Sequence, residues 1–228
     1  MAKRDVTKLN VAIDKLLETT TNPRHRFLLQ AYSRHRYLEV AGRYEEIFAP
    51  DMMVQNPSYH FQAGGMDAKL EGQENVKSLY RTWADTNQSI FYAENEQVAV
   101  ADNFVASIAI IHQQVSGKSL MFNKAISYLP GFLSEMVLKK VLSRKHMAAD
   151  ENAMYLYSNV MEMVWPYDDR CRLIGEDVWE PDPDKANIVK LDPADVMTTS
   201  ESAQALGPLI KPLPSFDEMV LGRQKVAI

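Results

Sequence analysis

The chain has 228 residues, 46% of them hydrophobic and 24% charged, and a formal net charge of −5. That length suffices for one well-cored domain with appendages, and the composition is that of a globular protein rather than a disordered or fibrous one. The negative charge argues against nucleic acid as a partner, and the lone cysteine, Cys171, excludes an internal disulfide and any multi-cysteine metal site.

In chain order, Val6, Leu9, Ile13, Leu16 and Leu17 form one apolar stripe, which predicts an amphipathic helix over residues 5–18. Charges interrupt this segment, and no apolar run elsewhere approaches ~18 residues, so a soluble cytoplasmic protein without a membrane partner is expected. Asn22 is a cap and Pro23 a first-turn residue for a second helix, which carries Arg24, Arg26, Arg34, His35 and Arg36. Such charges are usually solvated, although this positive face could hold an anionic group. Leu28, Ala31, Tyr32, Tyr37, Leu38, Ala41, Tyr44, Ile47 and Phe48 recur at helical spacing interrupted by Gly42, so two helical segments precede Pro50. Residues 52–54 read as a short strand that stops at Asn56-Pro57, because proline removes a ladder donor. Residues 57–70 are then a glycine-containing loop bearing Tyr59, His60 and Phe61. A third helix opens after Gly72 and carries Val76, Leu79, Tyr80 and Trp83. Extended runs follow over residues 89–101 and 103–115, separated by an Asp102-Asn103 turn, with a third strand expected over residues 118–129. Phe132, Leu133, Met136, Val137, Val141 and Leu142 return to helical spacing, which predicts a helical insertion at about residues 130–147, a lid or a buttress. Strands resume over residues 154–165 and 173–179. Prolines and polar breaks beyond Glu180 predict an extended arm, residues 181–228, attached to a domain of residues 1–180.

This order of helix, helix, short strand, helix and then strands resembles the nuclear-transport-factor-2-like (NTF2-like) superfamily, and within it the ketosteroid isomerases. Those enzymes share one pocket among a helix tyrosine, an acid before proline at the end of the first strand, and a second tyrosine on the third helix. Tyr32, Asn56-Pro57 and Tyr80 fall in the matching places, Asn56 lies midway between the tyrosines, and Phe48 sits where a third tyrosine would be. Covering about residues 27–179, the resemblance implies an α+β fold. A curved antiparallel sheet would form a cone around the N-terminal helices, with the helical insertion and the extended C-terminal arm added. It also implies that Tyr32, supported by Tyr80, donates to a developing oxyanion or a substrate phenol. The isomerases carry aspartate where this chain has Asn56, and an amide cannot take up a proton near neutral pH. Asn56 is therefore expected to orient a substrate oxygen, and a lyase is favoured over an isomerase.

Strand alternation places Val160, Glu162 and Val164 on one face and Met161, Met163 and Trp165 on the other. By the resemblance the first face lines the pocket, making Glu162 a buried acid or base of raised pKa, with Glu176 on the same face. A one-residue slip would turn both outward. The second face, apolar and outward, suggests a homodimer or larger homo-oligomer. His60 and His112 are candidates to move protons, while His25 and His35 read as surface residues. Arg36, Tyr59 and Trp83 are expected to contact substrate. No metal-ligand spacing, phosphate loop or nucleophile elbow occurs, so neither metal nor cofactor is expected. The function expected is a cofactor-independent lyase in aromatic compound catabolism. It would act by general acid–base catalysis on a small aromatic or cyclic hydroxyl-bearing substrate, eliminating water or formaldehyde, for example from a lignin-derived diarylpropane as superfamily lyases do. The alternatives are an isomerase or polyketide cyclase of the same fold, or a non-catalytic binding or oligomerisation module.

Overall fold

Where one helix is expected over residues 5–18, a 3-10 turn, Val6–Lys8, leads into helix α1, Val11–Thr19. The structure, a computed structural model, describes residues 4–63, 67–121 and 150–222. The break falls at buried Asn10, whose amide donates to the backbone and hydroxyl oxygens of Ser33 at 2.9 and 2.8 Å. A side chain committed in this way competes with helix continuation. Helix α2, Pro23–Val40, begins as expected: Asn22 accepts from the backbone of Arg24 and His25, and Pro23 fills the first turn. The helix ends before Gly42, whose φ of +66 turns the chain into the 3-10 turn Tyr44–Phe48. Helix α3 is Gln73–Asp85.

Among the described residues seven strands form one sheet: β1 Met53–Gln62, β2 Ala68–Glu71, β3 Phe91–Val100, β4 Phe104–Ser116, β5 Met154–Pro166, β6 Leu173–Trp179 and β7 Asn187–Lys190. Their order is β2-β1-β6-β5-β4-β3, with β7 paired to the first half of β5. All pairings are antiparallel except β1 with β6. The architecture is α+β, a curved open sheet packed on helices. Among the described residues no helix is long and apolar enough to cross a membrane.

Two strand expectations are corrected. Strand β1 does not stop at Asn56-Pro57 but runs to Gln62 and forms a hairpin with β2, where a loop is expected. Pro57 is tolerated because it lies where the β1–β6 register shifts, between Met53 and Ser58, so its missing N–H interrupts no ladder bond. After β4 the chain enters a short helix, Gly117–Met121, rather than a third strand. The remainder of that expected strand, with Asn123, Lys124 and Tyr128, and the insertion at 130–147 lie outside the described residues.

The faces of β5 are the reverse of those expected. Met161, Met163 and Trp165 are buried against Tyr32 and the main core, whereas Val160, Glu162 and Val164 are exposed. In β3 the register shifts between Glu94 and Gln97, with Asn95 at φ 54. The extra residue inverts the alternation, so Phe91 and Ala93 face inward before it, and Glu96, Val98 and Val100 after it.

Residues 181–222 contain short elements rather than a uniformly extended arm. The helix Thr199–Leu206 opens with a capping box of Thr198 and Glu201, Ser202 Oγ donates to the Val40 carbonyl at 2.6 Å, and Leu206 is fully buried. This segment lies on the body of the domain. Arg24, expected in solvent, donates to the carbonyls of Asp168 and Asp169 at 2.8 and 2.7 Å and to that of Asp102.

Candidate active site

Helix α2 buries charge. Tyr32, His35, Arg36 and Glu39 recur at i, i+3, i+4 and i+7, which places them on one face, and that face is turned to the interior. Arg36 Nη1 donates to both Glu96 oxygens at 2.8 and 3.0 Å, and both side chains are all but removed from solvent. The β3 bulge is what delivers Glu96 to this position. The guanidinium also lies 5.2 Å from the centre of the Tyr32 ring and 5.8 Å from that of Phe91.

A chain of hydrogen bonds runs from α2 to the sheet. Tyr80 of α3 donates to the Tyr59 hydroxyl of β1 at 3.4 Å, which leaves His35 Nε2–H as donor to Tyr80 at 2.9 Å. Burial, reinforced by the charge of Arg36, pushes the His35 imidazole down to about 3, so it is neutral throughout the physiological range. Burial likewise holds the Tyr59 and Tyr80 hydroxyls well above their ordinary value. Phe48, Tyr59 and Trp83 surround Tyr80 edge to face at 6.0–6.2 Å, a geometry that fixes its ring.

Two acids complete the group. Glu176 of β6 lies beside Tyr59 in the parallel register and is buried. That closeness depends on Gly175, since a Cβ there would fall 1.8 Å from the Ser58 carbonyl oxygen. Burial pushes the Glu176 carboxyl up to about 8, against the opposing effects of a hydrogen bond from Trp165 and the charge of Arg36. Glu39, whose side chain is 11% exposed, is also raised well above its ordinary value, first by burial and then by the charge of Glu176. Two buried carboxyls, one raised by the charge of the other, do not both ionise near neutral pH; the pair keeps a proton and can release or accept one.

Of the residues singled out from the sequence, Arg36, Tyr59, Tyr80 and Glu176 meet here, with Tyr32 adjoining and Trp83 at the edge. Tyr32 does not pair with Tyr80: its hydroxyl lies 3.4 Å from Ser107 Oγ and its ring against Trp165. Four others lie elsewhere. Glu162 is exposed, opposite Ile108 and Trp179 on the outer face. Asn56 is exposed in the irregular stretch of β1. His60 points away from its inward neighbour Tyr59 and is bonded to Asp67 at 2.9 Å. His112, buried on the opposite face of β4, is held by Ser158 at 2.7 Å and Glu94 at 2.9 Å. His35, Glu39 and Glu96 are the interior residues the sequence reading missed. The helical spacing from Tyr32 is the signal that locates the first two. Among the described residues no group of three metal-ligating side chains occurs.

A front of helices and a strand hairpin, followed by strands that fold back over them in one curved sheet, is the order expected of the superfamily named above. A crystal structure of an NTF2-like protein from Anabaena variabilis ATCC 29413 is similar at a TM-score of 0.44 and 9% identity, over 72% of this chain and 94% of that chain. At that distance no residue role carries over. No family model and no curated protein matches the chain.

Proposed function

We propose that the protein is a cofactor-independent acid–base enzyme, a lyase that eliminates water or formaldehyde from a small aromatic or cyclic hydroxyl-bearing substrate. The observation that carries this reading is the buried Glu39–Glu176 pair beside the Tyr59–Tyr80–His35 chain. One proton shared by two acids supplies both halves of an elimination: the ionised member takes a proton from the substrate while the protonated member gives one to the departing hydroxyl. For formaldehyde loss from a 1,3-diol, the proton leaves the terminal hydroxyl and its C–C bond breaks to form the carbonyl. The electrons of that bond form the new alkene and expel the second hydroxyl, which departs as water. Tyr59, a neutral donor supported by Tyr80 and through it by neutral His35, stabilises charge developing on substrate oxygen. Glu162, His60 and Asn56 have no part in this scheme.

The test is to incubate aryl 1,3-diols with the protein and follow the conjugated product by absorbance. Glu176→Gln should lower turnover by ~10²-fold or more, and Glu162→Gln should leave it within about 2-fold; equal rates in the two variants would defeat the assignment.

Five apolar side chains on the outer sheet face, Phe104, Ile108, Val160, Val164 and Trp179, are 37–58% exposed. We propose that two copies of the chain meet there, in the cytoplasm, whose reducing conditions suit the buried thiol of Cys171. Trp179→Asp should then halve the mass measured by light scattering, and a monomeric unaltered protein would refute the pairing.

A further inference from the structure

Arg36 is 2% exposed, yet its Nη2 has no hydrogen-bond acceptor among the described residues. An interior guanidinium N–H without an acceptor is costly, and such groups concentrate where a ligand or an ordered water completes them. The side chain cannot readily turn to find another partner, because Nη1 is tied to Glu96 and the rings of Tyr32 and Phe91 flank the guanidinium. Glu39 and Glu176 both feel its charge. The interior therefore sets a donor with unused capacity beside a carboxyl pair able to accept a proton.

We propose that Arg36 Nη2 holds the ionised oxygen of the substrate, so that the class accepted is one bearing an acidic O–H, a phenol or an enol, rather than an ether or a simple alcohol. This rests on the acid–base reading above. On binding, the ligand O–H bond breaks, its proton passes to the Glu39–Glu176 pair, and the oxygen, now anionic, accepts from Nη2–H. Both acids are then protonated and available to a departing hydroxyl, and no proton is exchanged with solvent. A hydrogen bond between charged partners discriminates by about 10-fold or more against an oxygen that cannot ionise.

The experiment uses the unaltered protein with 4-nitrophenol and 4-nitroanisole, titrated by absorbance and calorimetry at a pH below the phenol's own pKa. The expected result is growth of the nitrophenolate band as protein is added, with nitroanisole bound at least ~10-fold more weakly. Arg36→Lys, checked for folding by circular dichroism, should lose the band; the two ligands on the unaltered protein decide the matter even if that variant does not fold. Nitrophenol bound in its neutral form, or equal affinities for the two ligands, would overturn the proposal and leave the acid–base reading intact. Failure of both ligands to bind would overturn the two together.

Discussion

Glu162 and Glu176 stand on adjacent strands, each among apolar neighbours, and the sheet lies between them. On the outer face Glu162 is surrounded by Ile108, Val160, Val164 and Trp179, all exposed in the single chain. On the inner face Glu176 sits buried with Trp165 and Tyr59 under α2, and loses the water that an ionised carboxylate needs. Apolar surroundings in the sequence are therefore a poor guide to a tuned acid. What decides is whether another layer packs on that face, and among the described residues the two long helices cover the inner one.

The largest effect that would sharpen this contrast is a pair of truncations on β5. Met163→Ala should destabilise the protein by ~2–5 kcal/mol, because a buried side chain is lost and a cavity is left. Its neighbour Val164→Ala, 40% exposed in one chain, should cost no more than about 1 kcal/mol. Denaturant unfolding at a fixed protein concentration measures both, and equal losses would mean that the assigned faces are wrong.

A smaller effect is expected in the dependence of stability on pH. Glu176 holds its proton up to about pH 8 when folded, against 4.5 for an ordinary glutamate. Folding therefore takes up a proton between those values, and stability falls as pH rises through them. Glu39, raised in the same direction, adds to this alkaline limb. His35 acts oppositely: its folded value of about 3 lies below the ordinary 6.5, so its contribution is full above 6.5 and is lost as pH falls toward 3. Thermal unfolding should show a maximum between about pH 4.5 and 6.5. Glu176→Gln should flatten the alkaline limb and His35→Gln the acid one. An alkaline limb unchanged by Glu176→Gln would show that this carboxyl is already ionised in the folded protein.

Much of the fold was legible because helix signals are local. Asn22-Pro23, Gly42 and the Val76–Leu79–Tyr80–Trp83 spacing each announce an element within a few residues, and each element is present. The α+β class follows from the order of those elements. The faces of β5 were not legible, because both carry apolar side chains and a period of two has no preferred parity without knowledge of what packs against it. Bulk was the available clue, since Tyr155, Tyr157, Met161, Met163 and Trp165 share the face that α2 and the core fill. Charge misled in the opposite sense. His35, on a helix rich in arginine, reads as solvated, yet it bonds Tyr80, which lies on an element far away in the chain. Asn56 lies outside the interior group because the strand passes through Pro57 and does not end there.

Asn95 gives β3 a length that other strands of the sheet do not need. Keep that residue but let the ladder run without the bulge, and the remainder of the strand would roll over by half a turn: Gln97 and Ala99 would face the helices, and the carboxylate now neutralising Arg36 would be carried out to water. Deleting Asn95, by contrast, would close the bulge and leave Glu96, Val98 and Val100 facing inward. The bulge thus lets β3 carry one more residue without altering the electrical balance of the interior. Relatives of this chain with a β3 of the same length but no bulge would carry a differently charged interior even if every side chain on α2 were the same.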